Sequence, residues 1–320
     1  MSIEIRRFSS SDTDFEAKIE VLTAPIEDLD QSLVASVRDI ISQIRSGGDA
    51  ALLELTRRFD GFEASSVSEL VYERDDLKAY ESQVDRSALD AVAAAAQRIR
   101  RYHEQQINQD WSIVDDFGNR LGQRSLPMQR AGLYVPGGKA SYPSSVLMNA
   151  IPARVAGVPE IVMVAPAPGG EINPLVLAAA SIVGVDKVIT VGGAQAIAAL
   201  AYGTESALAV DKVVGPGNRY VAEAKRQVFG KVGIDMIAGP SEIFVIADGS
   251  VDPNWVALDL MSQAEHDEIA QAVCISTSQE YLDAVANAIE ALLPGASRAD
   301  IIRASLKNRG ALIAVPDLTV

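Results

Sequence analysis

Apolar residues in the first part of the chain recur with the period of a helix. In "LVASVRDIISQIRSGG", Val34, Val37, Ile40, Ile41 and Ile44 fall on one stripe, and Gly47 and Gly48 stand where a helix would be capped and ended. "SALDAVAAAAQRIRRYHEQQ" carries Leu89, Val92, Ala95, Ile99 and Tyr102 on one face, with Ser87 as its expected N-cap. The first 130 residues therefore read mainly as helix.

Near residue 131 the period changes. Short β-branched runs, "EIVMVAP" (160–166), "KVITVGG" (187–193) and "KVVGPGN" (212–218), alternate with helical segments rich in Ala and Leu. Strands that are apolar throughout and separated by helices predict a parallel sheet covered on both faces, in a Rossmann-like layout. A second such group follows, with "SEIFVIADG" (241–249), "QAVCISTS" (271–278) and "GALIAVPD" (310–317) as strands. The helix after the first of these begins with Asp252 as cap and Pro253 in its first turn, and buries Val256, Leu260 and Met261. The fold class expected is α/β, with two incomplete Rossmann-like domains and a helical N-terminal region.

Composition narrows the function. A chain of 320 residues that is 48% hydrophobic can bury a substantial core and is long enough for two domains. The net charge is −15, and Lys and Arg gather only in short runs such as Arg98–Arg101, so the basic stripe that meets nucleic acid is absent. The N-terminus has charges where a signal peptide needs its apolar run. The longest apolar stretch, Val188 to Tyr202, is broken by Thr190 and Gln195 and is too short to span a bilayer. A cytoplasmic protein is expected. A single cysteine, Cys274, excludes an internal disulfide and any Cys-based zinc site within one chain, and its place inside a strand reads as inert core.

Candidate chemistry lies in a few stretches. In "LMSQAEHDEIA" (260–270), Gln263 and His266 share a helical stripe with Asp259, just ahead of it, near a helix C-terminus, whose partial negative charge suits a cation. A solvated polar face is the plainer reading of that spacing, because glutamine is an uncommon metal ligand. The other histidine, His103, falls on the stripe near Tyr102, where packing or hydrogen bonding is expected. "GLYVPGGKASYPSS" (132–145), "VGGAQA" (191–196) and "GPGN" (215–218) are glycine turns between strands and helices; they either cradle an anion or simply reverse the chain. "GPGN" resembles half of a dinucleotide fingerprint, although Tyr220 stands in place of the third glycine. Three such turns after successive strands would line one carboxyl edge, where ligands of these folds bind. Ser241 in "GPSE" either donates to a ligand or ends a turn. Neither histidine has the nucleophile motif that a Ser/His/Asp triad needs.

Taken together, "GLYVPGG", "VGGAQAIAALAYGTE", "GPGNRYVAEAKRQV", "DMIAGPSE" and "SQAEHD" resemble histidinol dehydrogenase, in order and over essentially the whole chain. The resemblance implies a zinc-dependent homodimer that oxidises L-histidinol to L-histidine through the aldehyde histidinal, with NAD as oxidant, in histidine biosynthesis. It implies NAD contacts at Tyr134, Gln195 and Asn218, a substrate contact at Ser241, and zinc ligands at Gln263 and His266 that also face substrate. It further implies a discontinuous domain of 24–130 plus 240–320, a second domain of 131–239, and an N-terminal segment of 1–23. The family continues beyond a segment resembling "GALIAVPDLTV". There it carries the Glu-His pair of its acid–base chemistry, and later an aspartate and a histidine that complete the zinc shell. No catalytic residue is thus assigned within this chain, and as a truncated form it is expected to have little activity. Two other readings stay open. One is a non-catalytic relative that keeps nucleotide or partner binding. The other is a family dehydrogenase for another polyol or amino alcohol.

Overall fold

The computed structural model describes residues 4–24, 31–137, 142–207, 209–237, 239 and 241–318. β1 (Arg6–Ser9) leads to α1 (Phe15–Thr23) and the long α2 (Gln31–Asp60). Then come β2 (Val71–Glu73), α3 (Arg74–Tyr80), α4 (Arg86–Glu104) and the strands β3 (Trp111–Val114) and β4 (Arg120–Gln123). From β5 (Arg130–Tyr134) the chain alternates through α5 (Pro143–Val155), β6 (Glu160–Val164), α6 (Pro174–Val183) and β7 (Lys187–Ile189). It continues with α7 (Gly193–Tyr202), β8 (Lys212–Val214), α8 (Arg219–Val228) and β9 (Gly233–Ile234). The last run is β10 (Glu242–Ala247), α9 (Pro253–Ala264), β11 (Gln271–Ser276), α10 (Gln279–Leu292), α11 (Ala299–Arg309) and β12 (Ala311–Ala314).

Two larger sheets result. One has the order β2-β7-β6-β5-β8-β9, parallel except for β2, which runs antiparallel to β7. The other is parallel throughout, in the order β1-β12-β11-β10. The α/β class and the parallel strands are as the sequence predicts. Ile161, Val162, Met163 and Val164 of β6 are all buried, as befits a central strand covered on both faces.

The helical stripe of α2 behaves as its period requires. Val34, Val37, Ile40, Ile41 and Ile44 are all buried, each worth about 1.5–3 kcal/mol of transfer free energy. The helix breaks at Gly48, whose φ of 51° and ψ of −131° are non-helical. In α4 the expected cap Ser87 instead lies inside the first turn, after the flanking Asp85, and Tyr102 turns out to solvent.

The described residues of Leu29–Ala238 form one compact unit, and those of Met1–Asp28 with Gly239–Val320 form the other. Residues 31–130 pack with the described residues of 131–237 because their apolar stripes find partners there. Val37, Ile44 and Leu55 of α2 share a core with Ile197, Leu200 and Val221, and Val92 and Ala96 of α4 share one with Val146 and Ile151. The alanines of α7, all but featureless in volume, let α2 approach closely. Likewise the N-terminal segment belongs to the smaller sheet, where Arg6 pairs with Ala311 and Leu22 packs with Val273 and Ile313.

That smaller sheet is not covered equally on both faces. α9, α10 and α11 bury one face around Cys274, Leu260, Leu282 and Leu306. On the other, α1 covers only part, and Phe244 and Ile246 of β10 stay 58% and 63% exposed beside an apolar groove of about 650 Å³. Among the described residues no helix is long and apolar enough to cross a membrane.

Candidate functional site

In the larger sheet the chain steps from β5 outward through β6 and β7, then returns to start again at β8 on the other side. The reversal leaves a crevice beyond the carboxyl ends of β5 and β8, the place where doubly wound sheets bind ligands. A cleft of about 530 Å³ lies there. Its walls include Tyr134, Gln195 and Asn218, which the structure brings together from the ends of three different strand–helix turns. The end of α2 adds Arg58, Phe59 and Asp60.

Several polar groups in this cleft lack protein partners. The Tyr134 hydroxyl accepts the Gly193 N–H at 3.1 Å, while its own proton has no acceptor among the described residues. Burial, offset in part by that N–H and reinforced by the Asp60 charge, pushes the phenol up to about 12, so it stays protonated at neutral pH. Gln195 is 2% exposed, yet its Nε2 has no partner. Buried polar atoms are nearly always bonded, so an orphan amide on a cleft wall marks a place for a ligand. The Asn218 Oδ1 caps α8, accepting the N–H groups of Tyr220 at 3.0 Å and Val221 at 3.2 Å. Its amide nitrogen is then the group left for a ligand.

The turn between β8 and α8 is gripped from behind by a pair that sequence reasoning missed. Lys225, 2% exposed, donates from Nζ to the Gly215 carbonyl at 3.0 Å and forms an ion pair with Asp235. Asp235 in turn accepts the Gly215 N–H at 2.8 Å. Burial pushes the Asp235 carboxyl up. The Lys225 ammonium and the N–H groups of Gly215 and Met236 outweigh that, and its pKa ends below the ordinary value. A signal existed in the sequence: Lys225 lies four residues after Val221, on the buried stripe that includes Ala224 and Val228.

The second group of candidates lies in the other unit. α9 is capped by Asp252, which accepts the Asn254 N–H at 2.9 Å, and it buries Val256, Leu260 and Met261. A helix joining two adjacent parallel strands runs back to their amino edge, so the end of α9 lies at the edge where Ser241 enters β10. The Ser241 carbonyl accepts the Gln271 N–H at 3.0 Å, and its side chain is exposed. Gln263 is in the last turn of α9, half-buried, with Nε2 unpartnered. His266 lies two residues past the helix end, not on the helix itself, held by its N–H to the Gln263 carbonyl at 3.1 Å. Its Nδ1 is 2.8 Å from the Ser262 carbonyl. A carbonyl can only accept, so Nδ1 is the donor here, and in the neutral imidazole that tautomer leaves the Nε2 lone pair for a metal.

Two donors are short of the three or four protein ligands of zinc sites. Among the described residues no cluster of three or more His, Cys, Asp or Glu side chains could hold a metal ion. Asp259, on the same stripe, is exposed. His103 lies elsewhere, with Nδ1 2.6 Å from Gln106 Oε1, its ring edge-on to Tyr102, and its buried Nε2 without a partner among the described residues. Cys274 is fully buried and burial pushes its thiol up to about 11, which makes it inert. Residues 138–141 of the first glycine loop, and Pro240 ahead of Ser241, lie outside the described residues.

The family model for histidinol dehydrogenase matches residues 25–320. The histidinol dehydrogenase of Pseudomonas aeruginosa is 57% identical over 313 residues, which cover 98% of this chain and 71% of that protein. That of Chromobacterium violaceum is 57% identical over 312 residues, covering 98% of this chain and 72% of the relative. The crystal structure of histidinol dehydrogenase from Elizabethkingia anophelis superposes with a TM-score of 0.88 at 30% identity, over 99% of this chain and 72% of that one.

Proposed function

The chain belongs to the histidinol dehydrogenase family, and we propose that its larger unit binds NAD while its smaller unit supplies two ligands of a zinc site, for oxidation of L-histidinol to L-histidine. The observation that carries the nucleotide half is the orphaned Gln195 amide beside the free Tyr134 proton in the cleft at the strand reversal. The protonated phenol and the two amides donate to oxygen atoms of a ligand, and the N-terminus of α8 favours negative charge such as a pyrophosphate. A bound NAD would supply the hydride acceptor for each oxidation.

For the metal half, Gln263 through its amide oxygen and His266 through Nε2 are the residues that would hold zinc. Zinc, when bound, would polarise the alcohol oxygen and ease loss of its proton. Ser241, at the same sheet edge, is proposed as a substrate contact. Membership of the family is the support for a homodimer and for a cytoplasmic address.

Two donors give a weak site, so the 320 residues alone are expected to bind zinc far less tightly than a four-ligand site. Calorimetric titration with zinc should show weak binding that His266→Ala abolishes, and NADH formation from histidinol with added zinc should fall far below that of a longer relative. Tight zinc binding unchanged in His266→Ala removes the metal assignment. Turnover comparable with a longer relative removes the expectation of an incomplete site.

A further inference from the structure

Asp60 is the last residue of α2, half-buried on the wall of the cleft. A carboxylate offers roughly four acceptor positions. Among the described residues it receives one hydrogen bond, a long one of 3.4 Å from the Gly192 N–H, and no cation pairs with it. Burying a charge without a counter-ion is costly, and such groups cluster where a ligand supplies the missing donors. The next residue back, Phe59, is 48% exposed at the cleft and presents a flat apolar face of the kind a purine stacks on.

Resting on the nucleotide reading of this cleft, we propose that Asp60 selects a dinucleotide with a free adenosine 2′-hydroxyl and rejects its 2′-phosphorylated counterpart. The diol of the ribose donates to the empty acceptor positions, whereas a phosphate there would meet a like charge. Doubly wound folds use an acidic residue for this discrimination, though it follows a strand there and not a helix end. Among the described residues the cleft wall carries one cation, Arg58, which would favour a phosphate. Its guanidinium is exposed and lies over the Phe59 ring at 5.0 Å, so solvent screens it more than the deeper carboxylate. The carboxylate therefore decides.

Isothermal titration of the 320-residue chain with NAD and with NADP tests this. The unmodified chain should bind NAD at least about tenfold more tightly than NADP, a gap that narrows as salt is raised. Asp60→Asn should close most of that gap, weakening NAD and strengthening NADP. Arg58→Ala should leave it in place. Equal affinities in the unmodified chain overturn the proposal even if the variant fails to fold, and so does an equal loss for both ligands in Asp60→Asn, which would place the carboxylate on the other ribose. Binding of neither ligand overturns the nucleotide reading of the cleft itself.

Discussion

Gly215→Ala is expected to destabilise the larger unit by about 3 kcal/mol or more and to abolish nucleotide binding in the cleft. Two costs add at this position. The backbone φ of +116° is one that a residue with a Cβ rarely adopts, worth about 1–3 kcal/mol of strain. A Cβ would also stand 2.1 Å from the carbonyl oxygen of Tyr134, which is backbone and cannot swing aside. Relief would require parting β5 from β8 just past the Leu133–Val214 pair, displacing Tyr134 from the cleft wall. Gly230→Ala is the control. Its φ is +94°, but nothing lies within 4 Å of the added carbon, so it should show the strain alone. Urea unfolding of both variants separates the terms. If Gly215→Ala costs no more than Gly230→Ala, the close approach between the two strands does not hold the turn.

This contrast shows what the sequence could and could not reveal. The glycine turns between "KVVGPGN" and its neighbours were legible as the carboxyl edge of a parallel sheet, because period and turn chemistry are local. So were the buried stripe Val34 to Ile44, the break at Gly48 and the Asp252 cap. What each stripe covers is not local. Nothing within residues 31–130 says that Val37 will meet Ile197 and not the other sheet. β1 is four residues whose partner lies some three hundred positions away, and the pair β3–β4, with all its positions exposed, has no buried face to betray it. Of the candidate site, Tyr134, Gln195 and Asn218 came from resemblance, and the cleft gathers them. Asp60 gave no sign, since an acidic residue in the last turn of a helix reads as a solvated end.

Lys225 and Asp235 yield the second large effect, and burial fixes the order of the variants. Removing one member of a buried ion pair costs about 3–5 kcal/mol, because the other charge is left stranded. Lys225 has 2% of its side chain exposed and Asp235 has 29%, so stranding the lysine is worse. Asp235→Asn should therefore be more destabilising than Lys225→Met. The double replacement Lys225→Met with Asp235→Leu strands no charge, so it should cost less than the sum of the two. It should still cost about 1–3 kcal/mol, because the N–H and carbonyl of Gly215 both lose their partners. Acid provides an independent check on the sign. The carboxyl pKa is lower in the folded protein than in the unfolded chain, so the pair's contribution is fully present above the unfolded value of about 4 and is lost as pH falls through the folded one. Urea unfolding between pH 7 and pH 3 should show a steeper loss for the unmodified chain than for Asp235→Asn across that acid range. Parallel curves, or a Lys225→Met variant less stable than Asp235→Asn, would mean that the peptide of Gly215 is held by its strands alone and that the lysine merely fills space behind it.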